Sequence, residues 1–238
     1  MTARWQGYFR MKVLGIDAST MTGSIGLIDE DRPVAQYSLK IDVTHSERLM
    51  EAIDLVLQGA RIALKEIDGF AVSIGPGSFT GLRIGLGTVK GLCMATGKPA
   101  AAVSTLEALA ANMPFCRYLL CPLLDARKKE VYAALFKYRE EGCMIRLTDD
   151  RVVSPEFLIE QIREPVVFLG DGVDVYKDFL KGCLGDHAYF APMNAMLPSG
   201  ISVAMLGLAR LKKGEVITDT EIPVYIRRSE AELKFGSF

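Results

Sequence analysis

The chain has 238 residues, half of them hydrophobic and 24% charged, with a net charge of −1. Those values suit a globular protein of one large or two smaller domains. They give it no global basic field for nucleic acid and no apolar run long enough for a membrane-spanning helix.

Residues 1–10, MTARWQGYFR, lack the apolar core of a signal peptide and read as a leader or expression remnant ahead of a fold that starts at Met11. Val13 to Ile16 reads as a buried strand ending at Asp17, followed by the polar turn Ala18 to Thr22. Strands over Gly23 to Ile28 and Val34 to Lys40 complete an antiparallel meander. Thr44 and Glu47 form a capping box that opens a helix running to about Lys65. Phe70 to Ile74 is a short apolar strand leading into the glycine-rich turn GPGSFTGLRIG, and a helix follows to Thr96, stopped by Gly97-Lys98-Pro99. Ala100 to Val103 is a further strand, and Ser104 with Glu107 caps another helix.

The order then restarts. Tyr118 to Leu124 reads as a strand ending at Asp125, with further strands over Val131 to Lys137 and near Ile145 to Val153. Ser154-Pro155 opens a helix, Val166 to Leu169 is a strand, and Tyr176 to Leu180 lies in a helix. Placing Asp17 on Asp125 lays VLGID over CPLLD and GSIGLI over EVYAALF, which points to an internal duplication. The expected class is therefore α/β, with two β-β-β-α-β-α units at 11–113 and 114–197. The helix at 198–213, with an apolar stripe at Ile201, Met205, Leu208 and Leu211, is expected to pack back on the first unit. A tail occupies 214–238.

The five cysteines, Cys93, Cys116, Cys121, Cys143 and Cys183, are odd in number and form no CxxC pair. Reduced core thiols in a cytoplasmic protein are expected. Several catalytic patterns fail on spacing. GLCMATGK lacks the first P-loop glycine, and Pro99 stands where the magnesium-binding hydroxyl belongs. After Gly75-x-Gly77 the third glycine falls at Gly81, one residue late for a dinucleotide fingerprint. The two histidines, His45 and His187, form no metal-binding pair, and no GxSxG elbow is present.

Other patterns hold. In the helix at 44–65, polar residues at 48, 51, 54, 58, 61 and 65 trace one narrow stripe and the rest is apolar. Such a helix is either sandwiched inside its own domain or in contact with another subunit. Gly77, Gly81 and Gly85 recur every four residues, with Gly87 and Gly91 repeating that spacing on a neighbouring face. Helical glycines each cost roughly 1 kcal/mol relative to alanine, so close approach of another backbone is expected to compensate. The partner face expected from these two helices is His45, Leu49, Met50, Ile53, Leu57, Gly77, Phe79, Gly81, Leu82, Gly85 and Val89.

Asp17-Ala-Ser-Thr20 resembles the first phosphate loop of the actin-like (RNase H-like) ATPase superfamily, whose active members carry Asp-x-Gly-Thr/Ser. Ala18 stands in the glycine position, and the second loop, Asp125-Ala-Arg-Lys-Lys129, has neither glycine nor hydroxyl. Asp17, Ser19, Thr20 and Ser78 are the residues that a nucleotide would meet. IDAST, THSERL, SIGPGSFTGLRIGLGTVKGL, LLDARKKEVYAALF and PVYIRR together are similar to the TsaB (YeaZ) family over nearly the whole chain from Met11.

That resemblance implies a duplicated actin-like fold and a non-catalytic scaffold that activates TsaD in forming threonylcarbamoyladenosine (t6A) beside the anticodon. It implies TsaD as direct partner, TsaE as a further component, a homodimer when alone, and tRNA reached indirectly. It also implies no cofactor or metal of its own. The TsaD relative carries a histidine pair on the helix matching 44–65, where this chain has only His45. ATP or ADP at a shared interface stays open, and an active actin-like ATPase or small-molecule kinase is the alternative.

Overall fold

The computed structural model describes residues 10–40 and 45–226. Its first unit is built on β1 (Lys12–Asp17), β2 (Thr22–Asp29), β3 (Arg32–Lys40), α1 (His45–Ala60), β4 (Gly69–Gly75), α2 (Phe79–Thr96), β5 (Ala100–Ser104) and α3 (Thr105–Ala110). The sheet order is β3-β2-β1-β4-β5, with the first three strands antiparallel and β1, β4 and β5 parallel.

Strand alternation decides which layer each side chain joins. Leu14, Ile16, Ile25, Leu27, Phe70 and Val72 face α1 and α2. Val13, Ile28, Ala71 and Val103 face the opposite side, against Val203, Ala204 and Leu208 of the last helix, α6 (Gly200–Lys212). That helix comes down almost onto the sheet. A Cβ on Gly15 or Gly26 would be driven into the backbone of Gly200 to Ala204, and one on Gly207 into Ala71. The Gly200 N–H donates to Ser24 Oγ at 2.9 Å. The buried face of α6 is thus Gly200, Val203, Ala204, Gly207 and Leu208. The expected apolar stripe is shifted, because Met205 is 53% exposed: small residues, not large ones, let two backbones meet.

The second unit comprises β6 (Leu119–Asp125), β7 (Val131–Ala133), β8 (Phe136–Tyr138), β9 (Met144–Arg146), β10 (Arg151–Val153), α4 (Pro155–Ile159), β11 (Val166–Leu169), α5 (Gly172–Leu184) and β12 (Ala188–Phe190). Its sheet runs β10-β7-β6-β11-β12, with β8 on β6 and β9. The strand expected over 131–137 is broken because Leu135 turns out of the ladder. Its N–H donates to Thr148 Oγ1 at 2.9 Å and its carbonyl accepts from Leu147 at 2.8 Å. β12 was not anticipated from the sequence.

The helix expected to reach Lys65 stops at Ala60. The Ile62 N–H donates to Leu57 O and the Arg61 N–H to Gln58 O, both at 3.0 Å, with Arg61 in the left-handed region at φ 56°. This is a Schellman closure on a non-glycine residue, so the apolar pattern continued through a chain reversal that no glycine announced. The capping box at Thr44 lies outside the described residues.

The units exchange their closing helices. Leu106, Leu109 and Ala110 of α3 pack on the second sheet, while α6, at the end of the second unit, covers the first. Asn112 latches the exchange, its Nδ2 donating to Ala195 O and Leu197 O at 3.1 and 2.8 Å and its Oδ1 accepting from Ser202 Oγ at 2.7 Å. Glu107 receives Arg210 at 2.5 Å and Arg146 at 3.8 Å. Among the described residues, no helix is long and apolar enough to cross a membrane.

Candidate functional site

The loops after β1 and β6 face each other across the two units. Asp17 is fully buried, and its Oδ1 accepts the Ser19 N–H at 3.0 Å and the Ser19 hydroxyl at 2.8 Å. Asp125 repeats the turn, its Oδ1 accepting the Arg127 N–H at 2.9 Å. Burial pushes the Asp17 carboxyl up, offset in part by the hydroxyl of Ser73 on the neighbouring strand and by Ser19. The Ser73 hydroxyl leans toward the carboxylate without closing a bond of normal geometry, leaving Asp17 Oδ2 and Ser73 Oγ buried and unpartnered.

The glycine-rich turn closes onto the first loop. The Ser78 N–H donates to Ser19 O at 2.7 Å, and a Cβ on Gly77 would strike that same carbonyl. Ser78 Oγ then caps α2 by accepting the Gly81 N–H at 3.3 Å. Ala18, in the position of the superfamily glycine, is buried and in ordinary contact with Gly85, 3.5 Å from a Cβ placed there.

Between the loops lies a cavity of about 240 Å³ lined by Ser19, Thr20, Gly77 and Ser78 on one wall and Asp125, Arg127, Tyr132 and Asp171 on the other. Three of the four nucleotide candidates reach it. Asp17 is missing from the lining, because its side chain is turned into the first unit. Asp171 Oδ1 accepts the Asp125 N–H at 3.1 Å. Burial pushes the Asp171 carboxyl up, as do the charges of Asp125 and Asp174. The Arg127 guanidinium is already paired with Asp125 at 3.2 Å. A polyphosphate here would meet two carboxylates and a neutralised cation, in a volume below the ~300 Å³ at which ligand clefts usually begin. Among the described residues no group of three or more His, Cys, Asp or Glu is placed to hold a metal ion.

The expected partner face divides in two. Leu49, Ile53, Leu57, Leu82 and Val89 are buried in the chain's own core, with Gly81 and Gly85 on the same inner face of α2. Their apolar surface is already covered by the chain's own core, so only part of the apolar girth of α1 is left for another subunit. Met50 is 49% exposed. His45 begins α1, and its side chain lies outside the described residues. The exposed face that sequence reasoning underweighted carries Leu55 (51%) on α1 and Arg83, Gly87, Gly91 and Met94 (87%) on α2. The glycine spacing pointed to Gly87 and Gly91 without deciding which face was open.

Phe79 has a partner within the chain. Its ring stacks on Tyr225 with centroids 4.6 Å apart, and Arg83 lies over it at 3.9 Å while donating from Nε to the Tyr225 hydroxyl at 2.8 Å. The tail reaches there along α2. The Ile217 N–H donates to Ala100 O and the Val224 N–H to Ile74 O, and Lys90 Nζ donates to the carbonyls of Asp219 and Glu221.

Residues 40–235 match the family model TsaD, tRNA N6-adenosine threonylcarbamoyltransferase. The chain is 33% identical over 230 residues to the tRNA threonylcarbamoyladenosine biosynthesis protein TsaB of Bacillus subtilis (strain 168), covering 94% of this chain and 98% of that protein. The chain belongs to the TsaB family. The solved structure of YeaZ from Pseudomonas aeruginosa superimposes with a TM-score of 0.75 at 27% identity, covering 90% of this chain and 99% of that one. A ROK hexokinase from Thermus thermophilus, at TM-score 0.50 and 13% identity over 86% of this chain and all of that one, shares the fold alone. The duplicated actin-like fold expected from the sequence is therefore present. Its TsaB membership places the chain in t6A formation in tRNA.

Proposed function

We propose that this chain has no chemistry of its own and serves t6A formation as the scaffold and activator of TsaD. The exposed face of α1 and α2 is the docking surface. The observation carrying this reading is the emptiness in front of α2. Among the described residues, nothing beyond the helix's own backbone comes within 4 Å of a Cβ built on Gly87 or Gly91. Each glycine weakens an exposed helix by roughly 1 kcal/mol relative to alanine, and no packing among the described residues accounts for that cost. A helix from another chain can approach there closely, with Met50, Leu55 and Met94 supplying apolar contact around it. The same face pairs two copies of the chain when TsaD is absent, and TsaE joins the heterodimer. Cytoplasmic location follows from the same role.

Gly87→Leu and Gly91→Leu test this reading. Both side chains enter space that no described residue fills, so the fold survives. The complex with TsaD is expected to weaken at least about ten-fold by calorimetry (roughly 1.4 kcal/mol), and t6A formation in a reconstituted reaction to fall with it. Wild-type affinity and activity in both variants would remove the docking face. Substitutions at Leu49 or Gly85 do not serve, because those positions are inside the core.

The second reading, an active ATPase or small-molecule kinase, draws on the Ser19, Thr20 and Ser78 hydroxyls in the cleft. Tight binding of magnesium-ATP by the isolated chain, lost in Thr20→Val, would establish it. The paired Asp125 and Asp171 carboxylates weigh against it.

A further inference from the structure

On the second unit, Phe115 is a bulky residue held in the left-handed region at φ 59°, a conformation rare for such side chains. Its ring lies over Gly142, itself at φ 83°, where a Cβ would come within 2.5 Å of the ring edge. The ring also stacks on Tyr138, with centroids 6.3 Å apart and planes inclined by 28°. Despite these supports it remains 73% exposed. Two backbone reversals therefore hold an aromatic face out of the core instead of in it.

Beside that face is a cavity of about 770 Å³ lined by Phe115, Cys116, Arg117, Lys137, Tyr138, Arg139 and Glu140. Lys137 is paired with Glu164 at 2.6 Å. The guanidinium groups of Arg117 and Arg139 make no ion pair or hydrogen bond among the described residues. A propped aromatic face flanked by two uncommitted guanidinium groups matches what unpaired RNA offers, a base to stack and phosphates to pair. Glu140 adds an acceptor suited to an exocyclic amine of a base.

We propose that this shelf binds a single-stranded segment of RNA directly, a nucleobase stacking on Phe115 and the backbone phosphates pairing with Arg117 and Arg139. The proposal goes beyond the docking reading and stands apart from it, because the shelf is on the second unit and α1 and α2 are on the first. It adds a direct contact to the expectation that tRNA is reached indirectly.

The test is fluorescence anisotropy of a labelled, unstructured RNA oligonucleotide with the full chain at low salt. Phe115→Ala is expected to weaken binding on the order of ten-fold or more. Arg117→Gln combined with Arg139→Gln is expected to weaken it further and to lower the salt slope by about one to one and a half units. The double variant alters only exposed groups, so it reports even if Phe115→Ala disturbs the turn. Absence of RNA binding by the wild type, or unchanged affinity in both variants, overturns the proposal. So does loss of a protein partner with RNA binding intact, which would make the shelf a protein-docking surface.

Discussion

The ring of Phe79, in the first turn of α2, stacks on Tyr225 of the tail at 4.6 Å. This contact ties the chain's last described residues to the glycine-rich turn. Stacked aromatic pairs contribute about 0.5–1.5 kcal/mol beyond the area they bury. Tyr225→Ala also removes the acceptor of Arg83. The variant is expected to lose about 1 kcal/mol locally, seen as several-fold faster hydrogen exchange at the Val224 amide. The exchange of β1 amides stays unchanged. Equal slowing or acceleration across the whole sheet would show that the tail is part of the global unfolding unit.

Glycines in this chain separate into two kinds that substitution distinguishes. Gly15→Ala drives a methyl group into the Gly200 carbonyl and the α6 backbone, so α6 must lift, at a cost of about 3 kcal/mol. Gly85→Ala places its methyl at ordinary contact distance from Ala18 and Val72 and is expected to be neutral or to stabilise by up to about 1 kcal/mol through helix propensity. Urea unfolding of both variants checks the contrast, and a large loss from Gly85→Ala would contradict it.

Asp17 carries a pH dependence with a definite sign. Its folded carboxyl is raised above the ordinary aspartate value, mainly by burial. The folded state therefore holds the proton more tightly than the unfolded chain. That contribution to stability is full below the unfolded value and is lost as pH rises through the folded one. Asp17→Asn keeps an acceptor for Ser19, offers a donor toward Ser73 and removes the charge. Relative to wild type it is expected to gain about 1 kcal/mol at pH near 7.5 and little at pH near 4. A stability difference independent of pH would disprove this account.

Glu107 joins the two units by accepting Arg210 of α6 and Arg146 of β9. With the carboxylate gone, among the described residues Arg210 keeps only the Ala102 carbonyl and Arg146 keeps Asp150, so the link between the two units is lost. Glu107→Ala is expected to destabilise by about 2 kcal/mol, with the loss reduced at high salt. A double-mutant cycle with Arg210→Ala measures the coupling, and a coupling energy near zero would make the network incidental.

Local signals carried most of the element order. Strand alternation in the β1–β3 meander, Ser78 and Ser104 as N-caps, and Gly97 as the stop of α2 are all chemistry within a few residues. Asp17 and Asp125 marked the duplication because each closes the same turn on its own backbone. The breaks at Arg61 and Leu135 were hidden for opposite reasons. Arg61 takes a left-handed conformation without being glycine, and Leu135 is drawn from its strand by Thr148, a residue thirteen positions away.

By itself the sequence determined the α/β class, the repeated β…αβα units, the loops that meet at the cleft, and the family likeness, since each rests on spacing along the chain. Only the tertiary structure decided which faces are free. The apolar residues of α1 could cover a partner or the chain's own sheet, and close packing placed Leu49, Ile53 and Leu57 on the sheet. The glycine register allowed either side of α2 to be open. The fold buried Gly81 and Gly85 and left Gly87 and Gly91 with no described residue in front of them. Periodicity fixes which residues share a face, while the packing of elements distant in sequence determines what that face meets.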